Sequence, residues 1–135
     1  MGTDKEKLPV ELSGIVTPYN GHGRKLGYPT ANIDTRTDLT DGVYFGFADM
    51  LEFKHHPAAI FIGTPTTLGD KERRAEAHLL DIADKDYYGE EIKMIVEKYH
   101  RPNQTFASTE KLLEVMKDDE AQFRTWLKQN PATTK

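Results

Sequence analysis

The stretch "RAEAHLLDIADKDYYGEEIKMIVEKY", residues 74 to 99, decides the fold class. Its two ends, "RAEAHLLDI" (74 to 82) and "EIKMIVEKY" (91 to 99), read as strands, and the turn-rich "ADKDYYGE" separates them. The same grammar recurs upstream. "AAIFIG" (58 to 63) follows Pro57 and ends on Gly63, and "GVYFGFADML" (42 to 51) follows the turn signal Asp41-Gly42. "ELSGIVT" (11 to 17) runs into a glycine-rich loop. Turns returning this regularly favour a small antiparallel barrel or sandwich over a parallel sheet with crossover helices. Downstream the period changes. Leu112, Leu113, Met116, Phe123, Trp126 and Leu127 recur at helical spacing, with Ser108 before them as the N-cap.

Asp119 is the oddity of that last segment. Positions 112, 116, 119 and 123 follow the i, i+4, i+7, i+11 pattern, so a carboxylate sits on the apolar stripe. Two readings stay open: a helix break at "KDDE", with Asp118 or Asp119 capping a second helix, or an acid facing a ligand.

The chain has 135 residues, enough for one domain with one core. Its net charge of -4 argues against a general grip on nucleic acid. With no cysteine, disulfides, zinc-thiolate sites and thiol catalysis are excluded. No apolar run approaches the roughly 18 residues of a membrane span, and "MGTDKEKLPVEL" lacks the apolar centre of a signal peptide. A soluble cytoplasmic protein with neither membrane nor nucleic-acid partners is expected.

Chemistry concentrates in "NGHGRKLGYPTAN", residues 20 to 32. Gly21, Gly23 and Gly27 let backbone N-H groups approach an anion, and Arg24 and Lys25 add positive charge. Pro29 fixes the backbone before Thr30, whose hydroxyl is a candidate ligand for Mg²⁺, and the Asn32 amide can meet a phosphate oxygen or a hydroxyl. The loop lacks the Gly-Lys-Ser/Thr ending of a P-loop. Its purely structural reading is a hairpin shaped by glycine and proline.

Glu76 is the second candidate. It alternates with Ala75, Ala77 and Leu79 and so shares the opposite strand face with His78 and Leu80. A strand carboxylate aimed into a site can act as a general base. On pattern alone the better reading is the solvated face of the sheet, and periodicity does not select Glu76 over Glu72 or Glu90. His22, His55, His56, His78 and His100 show no familiar ligand spacing. Tyr44, Phe45 and Phe47 read as barrel core.

Taken in order, these pieces resemble the riboflavin kinase family. "GHGRKLGYPTAN" is similar to its signature loop, "DGVYFG" to its Gly-Val-Tyr strand and "FIGTPTT" to its Ile-Gly then Pro-Thr segment. "AEAHLLD" resembles its Glu-x-His strand, and "KDYYGEEI" its Asp-x-Tyr-Gly turn. "YHRPNQTFASTEKLLEVMKDD" resembles its closing Arg, Phe and Ser-x-x-x-Leu helix ending on Asp. The resemblance covers roughly residues 12 to 127. It implies a six-stranded antiparallel Greek-key β-barrel with a C-terminal α-helix, organised as an extension (1–11), a kinase domain (12–129) and a flexible tail (130–135).

The resemblance also implies Mg²⁺-ATP-dependent phosphorylation of riboflavin to FMN. Thr30 and Asn32 would hold Mg²⁺ and the phosphates, the glycine loop would cover the nucleotide, and Glu76 would be the catalytic base. Arg101 and Asp119 would bind flavin, with a structural capping role for Asp119 also open. Tyr19 stands where relatives commonly carry glycine, and "IGTPTT" is one residue shorter than the family's form, at Pro65 and Thr66. The kinase pattern begins within the first dozen residues. No FMN adenylyltransferase domain is therefore expected, so the chain is either a stand-alone kinase or an excised module that does not make FAD by itself; a monomer working with a separate FMN adenylyltransferase is expected. The alternative is a barrel of the same family that binds flavin or nucleotide without catalysis.

Overall fold

Alternation of apolar and polar residues builds the strands of this chain, and the closure of the strands on themselves builds its core. The computed structural model describes residues 8–17, 30–34, 37, 39–63, 74–82, 87–104 and 106–130. Residues 1–7, the glycine-rich loop through Pro29, the Pro65-Thr66 segment and the tail from 131 onward lie outside them. Among the described residues there are six strands and one helix: β1 (Val10–Ile15), β2 (Thr30–Asp34), β3 (Gly42–Asp49), β4 (His56–Gly63), β5 (Arg74–Leu79), β6 (Glu91–Arg101) and α1 (Thr109–Gln129).

The strands form one antiparallel sheet in the order β1-β6-β3-β4-β5-β2. Its two edges meet. The Thr17 N-H donates to the Asn32 carbonyl at 2.8 Å, and Gly14 lies so close to Ile33 that a Cβ would stand 3.1 Å from the Ile33 Cβ. The result is a nearly closed barrel with Greek-key connections. β5 and β6, consecutive in the chain, are separated in the sheet by β4 and β3.

Leu12, Ile33, Tyr44, Ile60, Ile62, Ala77, Leu79, Ile92, Met94 and Val96 fill the interior, as the period of two requires. β3 is buried on both faces. Tyr44 and Ala48 face inward, while Phe45 packs outward against Phe123 and Trp126 of α1, and Phe47 against Trp126. This is why "GVYFGFAD" reads as a continuous apolar run.

Helix α1 starts at Ser108, whose hydroxyl accepts from the Lys111 N-H. It continues without a break through Gln129, so the capped break at "KDDE" does not occur. Met116, Asp119 and Phe123 are its buried face. Two register shifts in the β3-β6 pairing, between Val43 and Tyr44 and between Phe45 and Gly46, interrupt the simple alternation along β6. A bulge of this kind re-aims side chains. Here it lets the consecutive His100 and Arg101 both reach toward α1.

Candidate functional site

The outward face of β2 and β5 carries three cross-strand rungs: Thr30 with His78, Asn32 with Glu76, and Asp34 with Arg74. The inward positions between them, Ala31, Ile33, Ala75 and Ala77, are core, which fixes the polar residues on the other side. Directly opposed residues of an antiparallel pair have Cβ atoms about 4.5–5.5 Å apart. Asn32 and Glu76 are therefore neighbours by topology, although 44 positions separate them in the chain.

This face is not solvated. Thr30, Asn32 and His78 are buried, and the Glu76 side chain is 17% exposed. The solvated-face reading of Glu76 is corrected on this point. β4 flanks β5 on the side away from β2, and α1 lies over the adjoining surface, where His78 and Leu80 line a small cavity with Met116, Asp119 and Phe123.

The polar atoms here are arranged for acceptance. Among the described residues, the Asn32 Oδ1, the Glu76 Oε2 and the Thr17 Oγ1 are buried and make no hydrogen bond, and the Thr17 backbone is tied to Asn32. Buried oxygens without donors are costly and call for a cation or a donor from a ligand. A hard divalent cation fits that donor set: amide, hydroxyl and carboxylate oxygens suit Mg²⁺. Among the described residues no three His, Cys, Asp or Glu side chains converge as a metal cage. An ion held here would share its coordination with water and substrate phosphate, the ordinary habit of Mg²⁺.

A second polar group lies nearby. Arg101 grips Asp119 through two parallel hydrogen bonds, Nε to Oδ1 at 2.9 Å and a terminal nitrogen to Oδ2 at 2.7 Å. The His100 Nε2 lies 3.0 Å from the same Oδ1. The His100 ring stacks on Phe45 with centroids 4.5 Å apart. Asp119 is thus an acid on an apolar stripe because it ties α1 to the end of β6. Arg101 and Asp119, read as separate flavin contacts, stand as one ion pair.

The structure therefore brings Asn32 beside Glu76 and Arg101 onto Asp119, and His78 lies between the groups: cross-strand to Thr30, against Glu76, and with Asp119 lining the cavity of about 20 Å³ under α1. The expected phosphate ligands Gly21, Gly23, Arg24, Lys25, Gly27 and Pro29 lie outside the described residues, in the segment leading directly into Thr30. Sequence reasoning passed over Thr17 and His78. The Glu-x-His spacing was the available signal for His78, because a period of two puts both side chains on one face.

Comparison with known proteins agrees with this fold. The Flavokinase family profile, described as riboflavin kinase, matches residues 6–127. The bifunctional riboflavin kinase/FMN adenylyltransferase of Escherichia coli is 36% identical over 118 residues, 86% of this chain and 37% of that protein. Human riboflavin kinase is 30% identical over 119 residues, 83% of this chain and 77% of that protein. The chain spans 37% or less of the length of the multifunctional relatives it matches. The crystal structure of riboflavin kinase from Trypanosoma brucei superposes with a TM-score of 0.67 at 29% identity, covering 90% of this chain and 80% of that one. Matched by the Flavokinase profile over residues 6–127, this chain belongs to the riboflavin kinase family.

Proposed function

We propose that this chain is a riboflavin kinase, which transfers the γ-phosphoryl group of ATP to the 5'-hydroxyl of the ribityl chain of riboflavin, giving FMN and ADP. The observation that carries this reading is the Asn32-Glu76 rung, a cross-strand pair whose buried Oδ1 and Oε2 make no hydrogen bond. Phosphoryl transfer asks mainly for positioning and charge neutralisation, because its transition state is usually loose. Glu76 Oε2 is the acceptor for the proton that leaves the ribityl hydroxyl as the new O-P bond forms. Thr30 and Asn32 are the residues that would hold Mg²⁺, which when bound neutralises charge on the phosphate oxygens. Arg24, Lys25 and the amides at Gly21, Gly23 and Gly27 would cradle those oxygens from the loop. Arg101 and Asp119 would present a fixed polar edge to the flavin.

On this reading the enzyme works as a monomer in the cytoplasm, and a separate FMN adenylyltransferase consumes its product. The second reading, a barrel that binds flavin or nucleotide without catalysis, is disfavoured by Glu76, since a pure binder has no need of a carboxylate on this rung. Incubation of the protein with riboflavin, ATP and Mg²⁺, followed by chromatographic separation of flavins, tests the proposal. FMN accumulating with time and enzyme concentration supports it. Riboflavin binding without FMN would establish the non-catalytic reading instead.

A further inference from the structure

We propose that His78 is a positioning residue that holds one oxygen of the Glu76 carboxylate, leaving the other to accept the substrate proton. This inference rests on the reading of Glu76 as the base. Glu76 and His78 are two apart on β5 and project from the same face. The His78 Nε2 lies 3.4 Å from the Glu76 Oε1. That separation is slightly long for a hydrogen bond, and catalytic contacts of this length in ligand-free enzymes commonly tighten when substrate binds. The other oxygen, Oε2, is the buried one that makes no hydrogen bond. The two oxygens thus have different surroundings, one against an imidazole nitrogen and one buried without a donor among the described residues.

The imidazole is itself well held. Its side chain is 7% exposed, and its ring packs on Phe61 with centroids 4.2 Å apart. Phe61 is the cross-strand partner of Glu76 in β4, so the residue that braces the histidine lies in the same rung as the base. On the side of α1 the ring lines a small cavity with Met116, Asp119 and Phe123. A free glutamate side chain has several rotatable bonds and loses entropy when it must hold one rotamer. A packed imidazole beside Oε1 would remove that freedom as the contact closes on substrate binding. Such a role is one of positioning rather than of bond making.

The test compares four variants in steady-state FMN formation, with thermal midpoints measured alongside. His78→Phe keeps an aromatic ring against Phe61 and removes the nitrogen. His78→Gln returns an N-H donor near the position of Nε2, whereas His78→Asn carries the same amide one methylene short. Glu76→Gln reports whether the carboxylate is the base at all. His78→Phe is expected to lower kcat roughly 10- to 100-fold, the scale of a misplaced catalytic group, with both KM values within about twofold of wild type. His78→Gln is expected to recover most of that loss and His78→Asn little of it. A His78→Phe enzyme with wild-type kcat, or one whose loss falls in KM, overturns the proposal. Should His78→Phe fail to fold, equal kcat in the Gln and Asn variants overturns it as well. If Glu76→Gln retains wild-type kcat, the base reading fails and this inference with it. If Glu76→Gln is crippled while His78→Phe is not, only the role of His78 is lost.

Discussion

Asp119→Ala removes a carboxylate that ties α1 to β6, and its cost can be worked from the contacts it ends. Asp119 accepts two hydrogen bonds from the Arg101 guanidinium, at 2.9 and 2.7 Å, and lies 3.0 Å from the His100 Nε2. Side-chain exposures are 6% for Asp119, 17% for Arg101 and 11% for His100, so the cluster is largely but not wholly removed from water. Truncating one partner of a fully buried pair costs about 3–5 kcal/mol, chiefly because the opposite charge is left without compensation. Residual access of water to Arg101 places the expected loss near the lower end, about 3 kcal/mol. For a domain of this size that corresponds to a fall in Tm on the order of 10 °C. Urea denaturation of wild type, Asp119→Ala, Arg101→Ala and the double variant gives the coupling between the two residues directly. A coupling of about 2 kcal/mol with unchanged m-values is expected. A loss below about 1 kcal/mol in Asp119→Ala, or additive single variants, would refute the latch.

Gly46→Ala should be more damaging than its size implies, because a Cβ at this register shift would stand 2.0 Å from the Ile95 carbonyl oxygen. Overpacking costs about 1–3 kcal/mol or more, and two paired backbones have little room to yield, so a loss of at least about 3 kcal/mol is expected; a wild-type Tm would contradict it. Arg124→Ala tests an exposed cluster, in which Arg124 also donates to Glu120 at 2.9 Å. Arg124 donates to both oxygens of Asp81, at 3.0 and 2.8 Å, and these hydrogen bonds hold the Asp81 carboxyl below its ordinary value of 3.8. The pairing therefore stabilises the folded state above that value, and its contribution is lost as pH falls through the lowered value of the folded protein. With Asp81 67% and Arg124 42% exposed, solvent screening limits the effect to about 0.5–1 kcal/mol at pH 7. The stability gap to wild type should narrow in acid below 3.8, and a gap that stays constant with pH would count against the pairing.

Much of the barrel was legible because its strands obey the period of two. "ELSGIVT", "AAIFIG" and "RAEAHLLDI" correspond to β1, β4 and β5 within a few residues at their ends. β2 did not stand out by pattern. "TANID" is five residues long, carries Asn and Asp, which are poor strand formers, and presents only Ala31 and Ile33 to the core. Its strand character comes from pairing with β5, a partner more than forty positions away that no local window contains. The separation of β5 from β6 by two other strands is equally non-local. The Glu76 face read as solvated because alternation reports which residues share a face and not what covers it. The same limit applied to Asp119. Its place on the helix stripe was visible, but its partners were not, since the bulges in β6 decide that His100 and Arg101 both meet it.

The most direct test of the account is single-turnover FMN formation by wild type and Glu76→Gln, each loaded with riboflavin and mixed with ATP and Mg²⁺. Wild type is expected to convert bound riboflavin to FMN, while Glu76→Gln should bind riboflavin and ATP within about twofold of wild type and transfer phosphate at least about 100-fold more slowly. A Glu76→Gln enzyme that forms FMN at the wild-type rate would contradict the account.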